Sequence, residues 1–207
     1  MAITLGFYGA AQGVTGSCYL LNTGHTRILI DCGYYQERSF AHRNYDPFPF
    51  DVASVDLVLL THAHLDHCGL LPKLVRHGFK GEIKCTAASR SIAEIVMLDS
   101  ARIQQEDVAY KKRRHAKEGR TSPAPYEPIY TVEDAESAVK QIKAVPNDRA
   151  VLLADGVKAT FYIAGHILGS SIIKIEIDLD GLQRTILFSG DIGRWDVPLL
   201  QNPTLMD

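Results

Sequence analysis

The sequence predicts a layered α/β sandwich, with strands toward both ends of the chain and helices between them. Three observations carry this. Short β-prone runs recur through residues 3–60, a stretch without Pro or Gly runs over 89–117, and strand patterning returns from Ala150. A block of helices between two blocks of strands differs from a doubly wound sheet, in which each strand is followed by its own crossover helix. With 207 residues and 46% hydrophobic composition, the chain has apolar surface for one substantial core or two small ones.

In chain order, ITLGFY (3–8), SCYLLN (17–22) and TRILID (26–31) read as strands, with NTGHT forming a hairpin turn between the second and third. The Pro- and aromatic-rich loop NYDPFPFD leads to a fourth strand, VDLVLL (55–60). GLLPKLVRHG (69–78) has apolar residues at helical spacing and stops at Gly78, and EIKC (82–85) reads as a strand. Over 89–117, Ile92, Ile95, Val96 and Ile103 keep helical spacing, which predicts one long helix. GRTSPAPYEP (119–128) breaks it. A second helix is predicted over TVEDAESAVKQIKAV (131–145), with Thr131 and Asp134 placed as a capping-box variant. AVLLA (150–154), VKATFYIAG (157–165), SSIIKIEIDL (170–179) and RTILFSGD (184–191) are the closing strands.

Directly after the fourth strand, THAHLDHCG (61–69) crowds His62, His64, Asp66 and His67 together in a chain with only 8 histidines. In H-x-H-x-D-H the first two histidines alternate, so an extended loop sends both rings to one side. Asp66 and His67, on a tightening turn, face a second point nearby, which allows two metal positions. Neutral imidazole and carboxylate suit Zn²⁺, with Zn–N bonds of roughly 2.0–2.1 Å, and Mn²⁺ or Fe accept the same ligand types. Four residues do not complete two sites. Further ligand types stand at other strand ends: His166 after FYIAG, Asp191 in TILFSGD, and Asp31 closing RILID. Polar residues at the ends of several buried strands are how loops converge on one edge of a sandwich.

A formal net charge of -2 supplies no global field for a polyanion, so any such binding has to come from a local patch or a metal. Cys18, Cys32, Cys68 and Cys85 form no C-x-x-C pair, and MAITLGFYGA lacks a basic segment followed by a long apolar one. No stretch reaches the roughly 18 apolar residues of a membrane span. The expectation is a cytoplasmic protein without a membrane partner. KKRRHAKEGR (111–120) is a dense basic run. GAAQGVTGS (9–17) lacks the G-K-[ST] of a P-loop and reads as a tight loop beside the site, while Cys68 reads as packing.

The ordered set LID at Asp31, THAHLDH at 61–67, AGH at His166 and SGD at Asp191 resembles the metallo-β-lactamase fold, motif by motif. That resemblance implies an αββα metallo-β-lactamase sandwich, incomplete at the C-terminus. It implies that His62, His64 and His166 bind one metal, that Asp66 and His67 bind a second, and that Asp191 bridges both. Zinc is the expected metal, two per complete active site. Asp31 is then a carboxylate behind the ligands that orients them and the bridging water, and Asp31 and Asp66 are the catalytic candidates.

The fold hosts lactamases, thioesterases, glyoxalase II enzymes, flavodiiron proteins and nucleases. A glutamate in place of His64 would point to the flavodiiron type, and none is there. TAASRSIAEIVMLDSARIQQED, YKKRRHAKEG, PIYTVEDAESAV, AGHILGSS and FSGDIGRWDVPLLQNP resemble the β-CASP branch over nearly the entire chain. That branch includes the endonuclease subunit of the cleavage and polyadenylation specificity factor and bacterial and archaeal RNases.

The resemblance implies a metal-dependent phosphodiester hydrolase acting on RNA, with a metal-activated hydroxide as nucleophile. Lys111, Lys112, Arg113 and Arg114 are candidate contacts to the RNA backbone, a solvated helix end being the other reading. β-CASP enzymes carry an inserted domain after the Asp191-type motif, and the chain then returns with further histidines. Residues 1–207 resemble the N-terminal portion alone, with the inserted domain and the return segment absent. One tight metal or none, and little activity, are therefore expected of this chain. Two alternatives stand beside the ribonuclease: a small-molecule hydrolase of the glyoxalase II type, and a non-catalytic metal- or RNA-binding subunit. The pattern sets no oligomeric state.

Overall fold

Strands β3 (Arg27–Ile30) and β4 (Leu57–Leu59) are apolar nearly throughout, which is the mark of strands covered on both faces. The computed structural model, which describes residues 2–121, 126–179 and 181–206, shows what covers them. They are central in a six-stranded sheet of order β1-β2-β3-β4-β5-β6, where β1 is Thr4–Gly9, β2 Cys18–Asn22, β5 Glu82–Thr86 and β6 Ile142–Val145. The first three strands run antiparallel to one another, and β3 to β6 are parallel. A second, antiparallel sheet has the order β10-β9-β8-β7: Leu182–Phe188, Ser171–Leu179, Val157–Ile163 and Val151–Ala154.

Side chains alternate across the first sheet with a period of two and so feed two cores. Leu20, Leu29, Val58, Leu60 and Ile83 point to one face, where they pack with Leu71 and Leu74 of α2 (Leu71–Arg76), Ala93 and Met97 of α3 (Ala87–Glu118), and Ala135 and Ala138 of α4 (Val132–Gln141). Leu21, Ile28, Ile30, Leu57 and Leu59 point the other way, onto Val157, Phe161, Ile173, Ile175 and Ile177 of the second sheet. The layers are helix, sheet, sheet. Among the described residues no helix covers the outer face of the second sheet, where Lys158 and Lys174 both approach Glu176. The sandwich expected from the sequence is thus present in three of its four layers.

The long helix forms over Ala87–Glu118, with the Thr86 hydroxyl accepting the Ser89 N–H at its start and Gly119, at φ 63°, ending it. Residues 122–125 of the predicted break lie outside the described residues. Thr131 and Asp134 form the expected capping box: the Thr131 hydroxyl accepts the Asp134 N–H and Asp134 Oδ2 accepts the Thr131 N–H. The helix predicted over 131–145 is cut short at Gln141, and Ile142–Val145 becomes β6. An open edge of β5 decides this. Parallel pairing from Ile83↔Ile142 to Thr86↔Val145 satisfies the backbone and buries Ile142, a gain that overrides local helical preference.

Candidate metal centre

Strands β3, β4, β8 and β10 deliver their C-terminal ends to one edge, and each end carries a ligand-type residue. The chain leaves β4 extended through residues 60–63, turns at His64, and forms the one-turn helix α1 (Leu65–Cys68). This is the alternation followed by a tightening turn read from the motif. His62 is fully buried and His67 nearly so. His166 comes from the loop after β8, and Asp191 lies three residues beyond the end of β10 at Phe188.

His64 Nδ1 lies 3.1 Å from His62 Nε2 and 3.1 Å from His166 Nε2. Asp191 Oδ2 lies 3.8 Å from His62 Nε2 and 3.4 Å from His166 Nε2. These four donor atoms fall within 4.8 Å of one another. Tetrahedral zinc with bonds of roughly 2.0–2.1 Å needs donors about 3.3 Å apart, so the spacing fits one divalent ion. The other oxygen of the same carboxylate, Asp191 Oδ1, is 3.4 Å from His67 Nε2, and Asp66 Oδ2 is 3.8 Å from that nitrogen. His67 and Asp66 stand outside that group of four, with the His67 ring centroid 4.0 Å from that of His62.

Protonation suits metal binding at His62 and His64. Burial, and then the neighbouring His67, His64 and His166, lower the His62 pKa to about 2, and burial followed by His166 lowers that of His64. Neutral imidazole is the ligating form. Burial alone would lower His67 too, but Asp31, by charge and by hydrogen bond, and then Asp66 and Asp191 raise it to about 8.

Behind the ligands sits Asp31, buried and at φ 57° just past the end of β3. Its Oδ1 accepts the Thr61 N–H at 2.8 Å, and the Thr61 hydroxyl lies 3.0 and 2.9 Å from the two oxygens. Oδ2 also accepts from the Ser17 hydroxyl at 3.1 Å and lies 2.7 Å from His67 Nδ1. A carboxylate only accepts, so Nδ1–H of His67 donates to it, and Nε2 is the ring nitrogen that faces Asp66 and Asp191. The single Thr61 proton likewise goes to Asp31. Its oxygen, 3.1 Å from His62 Nδ1, then accepts from that ring and leaves His62 Nε2 bare toward the centre. Asp31 spends its acceptors inside the protein, on Ser17, Thr61 and His67.

Three supports escaped the reading of the sequence. Thr61 is one. The second is Ser170, whose hydroxyl accepts the N–H groups of His166 and Ile167, while the neighbouring Gly169 carbonyl accepts the Thr86 and Ser89 hydroxyls from the start of α3. The third is Glu37, whose Oε1 accepts the N–H groups of Val14 and Thr15 and whose Oε2 accepts the Thr15 hydroxyl. This clamps the glycine-bearing loop 9–17, which borders the same groove as His67 and Asp191. Only the T in THAHLDH and the S in GHILGS hinted at the first two; nothing local pointed to Glu37.

The Thr15 hydroxyl, and then the Thr15 and Val14 amides, pull the Glu37 pKa to about 2. A depressed pKa means that the clamp is fully present above the ordinary carboxylate range and is lost only as the pH falls through about 2. Glu37→Gln should therefore speed amide exchange at Val14 and Thr15 by about tenfold at neutral pH, leaving core amides unchanged. Hydrogen-exchange mass spectrometry reads this directly. Equal protection in both proteins would show that the loop holds its shape unaided.

Cys68 is packing, as expected: its buried thiol donates to the Ala63 carbonyl, and burial raises its pKa. The structure does not bring the basic run to the centre. Helix α3 starts against the His166 loop, and at 1.5 Å per residue positions 111–114 lie about 36–40 Å along it.

Residues 11–194 match the family described as the metallo-beta-lactamase superfamily. Ribonuclease TTHA0252 of Thermus thermophilus is 36% identical over 198 residues, covering 96% of this chain and 40% of that protein. Transcription termination factor FttA of Methanocaldococcus jannaschii is 34% identical over 195 residues, covering 92% and 27%. Cleavage and polyadenylation specificity factor 73 of Drosophila melanogaster is 31% identical over 193 residues, covering 90% and 24%. The chain thus spans well under half the length of each. Among solved structures, the subclass B3 metallo-beta-lactamase MEM-A1 from a soil metagenome aligns with a TM-score of 0.52 at 19% identity, over 89% of this chain and 59% of that one. A metallo-beta-lactamase of Cronobacter sakazakii aligns at 0.51 and 20% identity, over 92% and 58%. The fold is shared with these enzymes, and by sequence the chain belongs to the metallo-beta-lactamase superfamily, in its β-CASP branch.

Proposed function

We propose that this chain carries the metal-binding part of a ribonuclease, a metal-dependent phosphodiester hydrolase acting on RNA. In this reading His62, His64, His166 and Asp191 hold one divalent ion, zinc before manganese or iron, and Asp66, His67 and Asp191 hold a second. The observation that carries it is the Asp191 carboxylate, with Oδ2 toward the three histidines and Oδ1 toward His67. Neutral imidazoles with carboxylates are a donor set such ions accept. Bound there, the metals supply an activated water near neutral pH and positive charge for phosphoryl oxygens.

The chain's own residues do the rest. Asp31 and Thr61 fix the rings of His67 and His62, and Ser170 holds the backbone of His166 in place. Asp66, whose side chain is 18% exposed, is the carboxylate placed to take a proton at the second position. RNA is favoured over a β-lactam or thioester because the relatives named for ribonuclease activity and polyadenylation-factor function share 31–36% identity with this chain, whereas the lactamases share only its fold. Among the described residues no helix is long and apolar enough to cross a membrane. The four cysteines are free and buried, which fits a reducing compartment such as the cytoplasm.

The test compares labelled single-stranded RNA with a chromogenic thioester, with zinc or manganese present and after chelation. The complete protein is expected to cleave RNA in a chelator-sensitive way and leave the thioester intact. The 207-residue chain is expected to bind about one zinc tightly, because its first group has four ligands and its second three, and to cleave weakly. Thioester turnover without RNA cleavage would replace this reading with the glyoxalase II type. Bound metal and bound RNA without turnover would replace it with a non-catalytic subunit.

A further inference from the structure

Helix α3 outgrows the domain that holds it. Its buried positions, Ser89, Ala93, Met97 and Ala101, all lie in its first half. Gln104 still accepts the Ile129 N–H, but from residue 105 to 118 nearly every side chain is exposed over about 20 Å of helix. The tip is tied back by His115, whose Nδ1 lies 2.7 Å from the Tyr126 hydroxyl. Along this stretch Lys111 and Arg114, Arg113 and Lys117, and Arg114 and Lys117 are like charges three or four residues apart, which weakens a helix unless an anion lies against it.

The charges do not share one face. At about 100° per residue, Arg113, Arg114 and Lys117 surround Tyr110, whereas Lys111 turns to the flank and Lys112 to the opposite side. Tyr110, Arg113, Arg114, Lys117 and Glu118 line a shallow groove of about 240 Å³. Glu118, its one carboxylate, is engaged by Arg114 Nε at 2.9 Å and Arg120 Nη1 at 3.3 Å. Among the described residues, no carboxylate pairs with Arg113 or Lys117. Tyr110 is 57% exposed, an aromatic ring set among cations.

We propose that this groove is a second contact for single-stranded RNA, with Arg113 and Lys117 on phosphates and the Tyr110 ring under a base. A cationic track with an aromatic platform binds single strands with little regard to sequence. The start of α3 is held against the His166 loop and the groove lies about 40 Å along the helix from there, so a stacked strand following the helix from that loop to the groove would hold about 12 nucleotides. The choice of RNA as occupant rests on the ribonuclease reading; the charge and the ring demand only a single-stranded polyanion with bases.

Binding is measured by fluorescence anisotropy with a labelled 20-nucleotide oligouridylate, in chelator, so that no metal chemistry enters. Arg113→Ala with Lys117→Ala should weaken binding about tenfold and reduce the slope of log K against log salt by about 1.4, since each phosphate contact to a single strand contributes about 0.7. Tyr110→Ala should also lose about tenfold, with the slope unchanged, and Tyr110→Phe should restore wild-type affinity because stacking needs only the ring. Alanine favours helix, so these losses do not come from unwinding, and circular dichroism verifies it. Unchanged affinity and slope in both alanine variants would overturn the proposal, as would an equal loss from Lys158→Ala with Lys174→Ala on the far sheet, which would assign binding to net charge. Failure of RNA hydrolysis in the functional test leaves this measurement standing, and a working nuclease with unaltered binding overturns the groove alone.

Discussion

Replacing Asp191 with alanine should strip the chain of tight zinc binding and abolish chelator-sensitive RNA cleavage by the complete protein. Its two oxygens face the two halves of the centre, at 3.4 Å from His166 Nε2 and 3.4 Å from His67 Nε2. Without it, three imidazole rings are left with no carboxylate among them, and Asp66 and His67 are left as a pair that cannot close a site. Losing a group that merely supports a ligand already costs 10–100-fold in metal affinity, so loss of this ligand should exceed about 100-fold. His64→Ala should behave alike, because His64 Nδ1 is the atom on which the other two rings converge. Asp191 is 43% exposed at its side chain, so the metal-free melting temperature should move by no more than about 2 °C. Competitive zinc titration and a thermal melt read the two effects. Wild-type affinity with wild-type cleavage in either variant would sink the assignment.

Asp31→Ala should instead attack the fold and the centre together. The side chain is 1% exposed and takes hydrogen bonds from the Thr61 N–H, the Thr61 hydroxyl, the Ser17 hydroxyl and His67. Truncation orphans these donors in a place water does not reach. Alanine is also a poor occupant of φ 57°, which asparagine and aspartate tolerate far better. Breaking a buried charged pair costs about 3–5 kcal/mol, which for a domain of this size lowers the melting temperature by about 10 °C. Asp31→Asn keeps the backbone conformation and should lose less. Both variants should bind zinc 10–100-fold more weakly, because the Thr61 hydroxyl that Asp31 holds no longer fixes the His62 ring, and His67 is free to turn away from the second position. A melt within 2 °C of wild type for Asp31→Ala would show that this network does not hold the edge of the sheet.

The candidate metal-binding residues were legible as a group because their signals are local. Alternation in HAHLDH, an apolar run before AGH and another before SGD are each contained within ten residues. The long helix and the capping box of Thr131 and Asp134 are legible for the same reason, since spacing and caps act over one or two turns. Residues 142–145 were misread as helix because their strand state depends on an edge of β5 that is more than fifty residues away in sequence.

What the sequence by itself determined is which residue types stand at the ends of which apolar runs, and hence a donor set suited to divalent metal. Tertiary structure alone decided how they meet. Stacking β3 and β4 of one sheet on β8 and β9 of the other brings His166 to His64 across 102 residues, turns one oxygen of Asp191 to each side, and sets Glu37 on the amides of a loop 22 residues away. Hydrophobic period and capping are properties of neighbouring residues, whereas a hydrogen bond or a shared ligand position depends on where the packed sheets place distant segments.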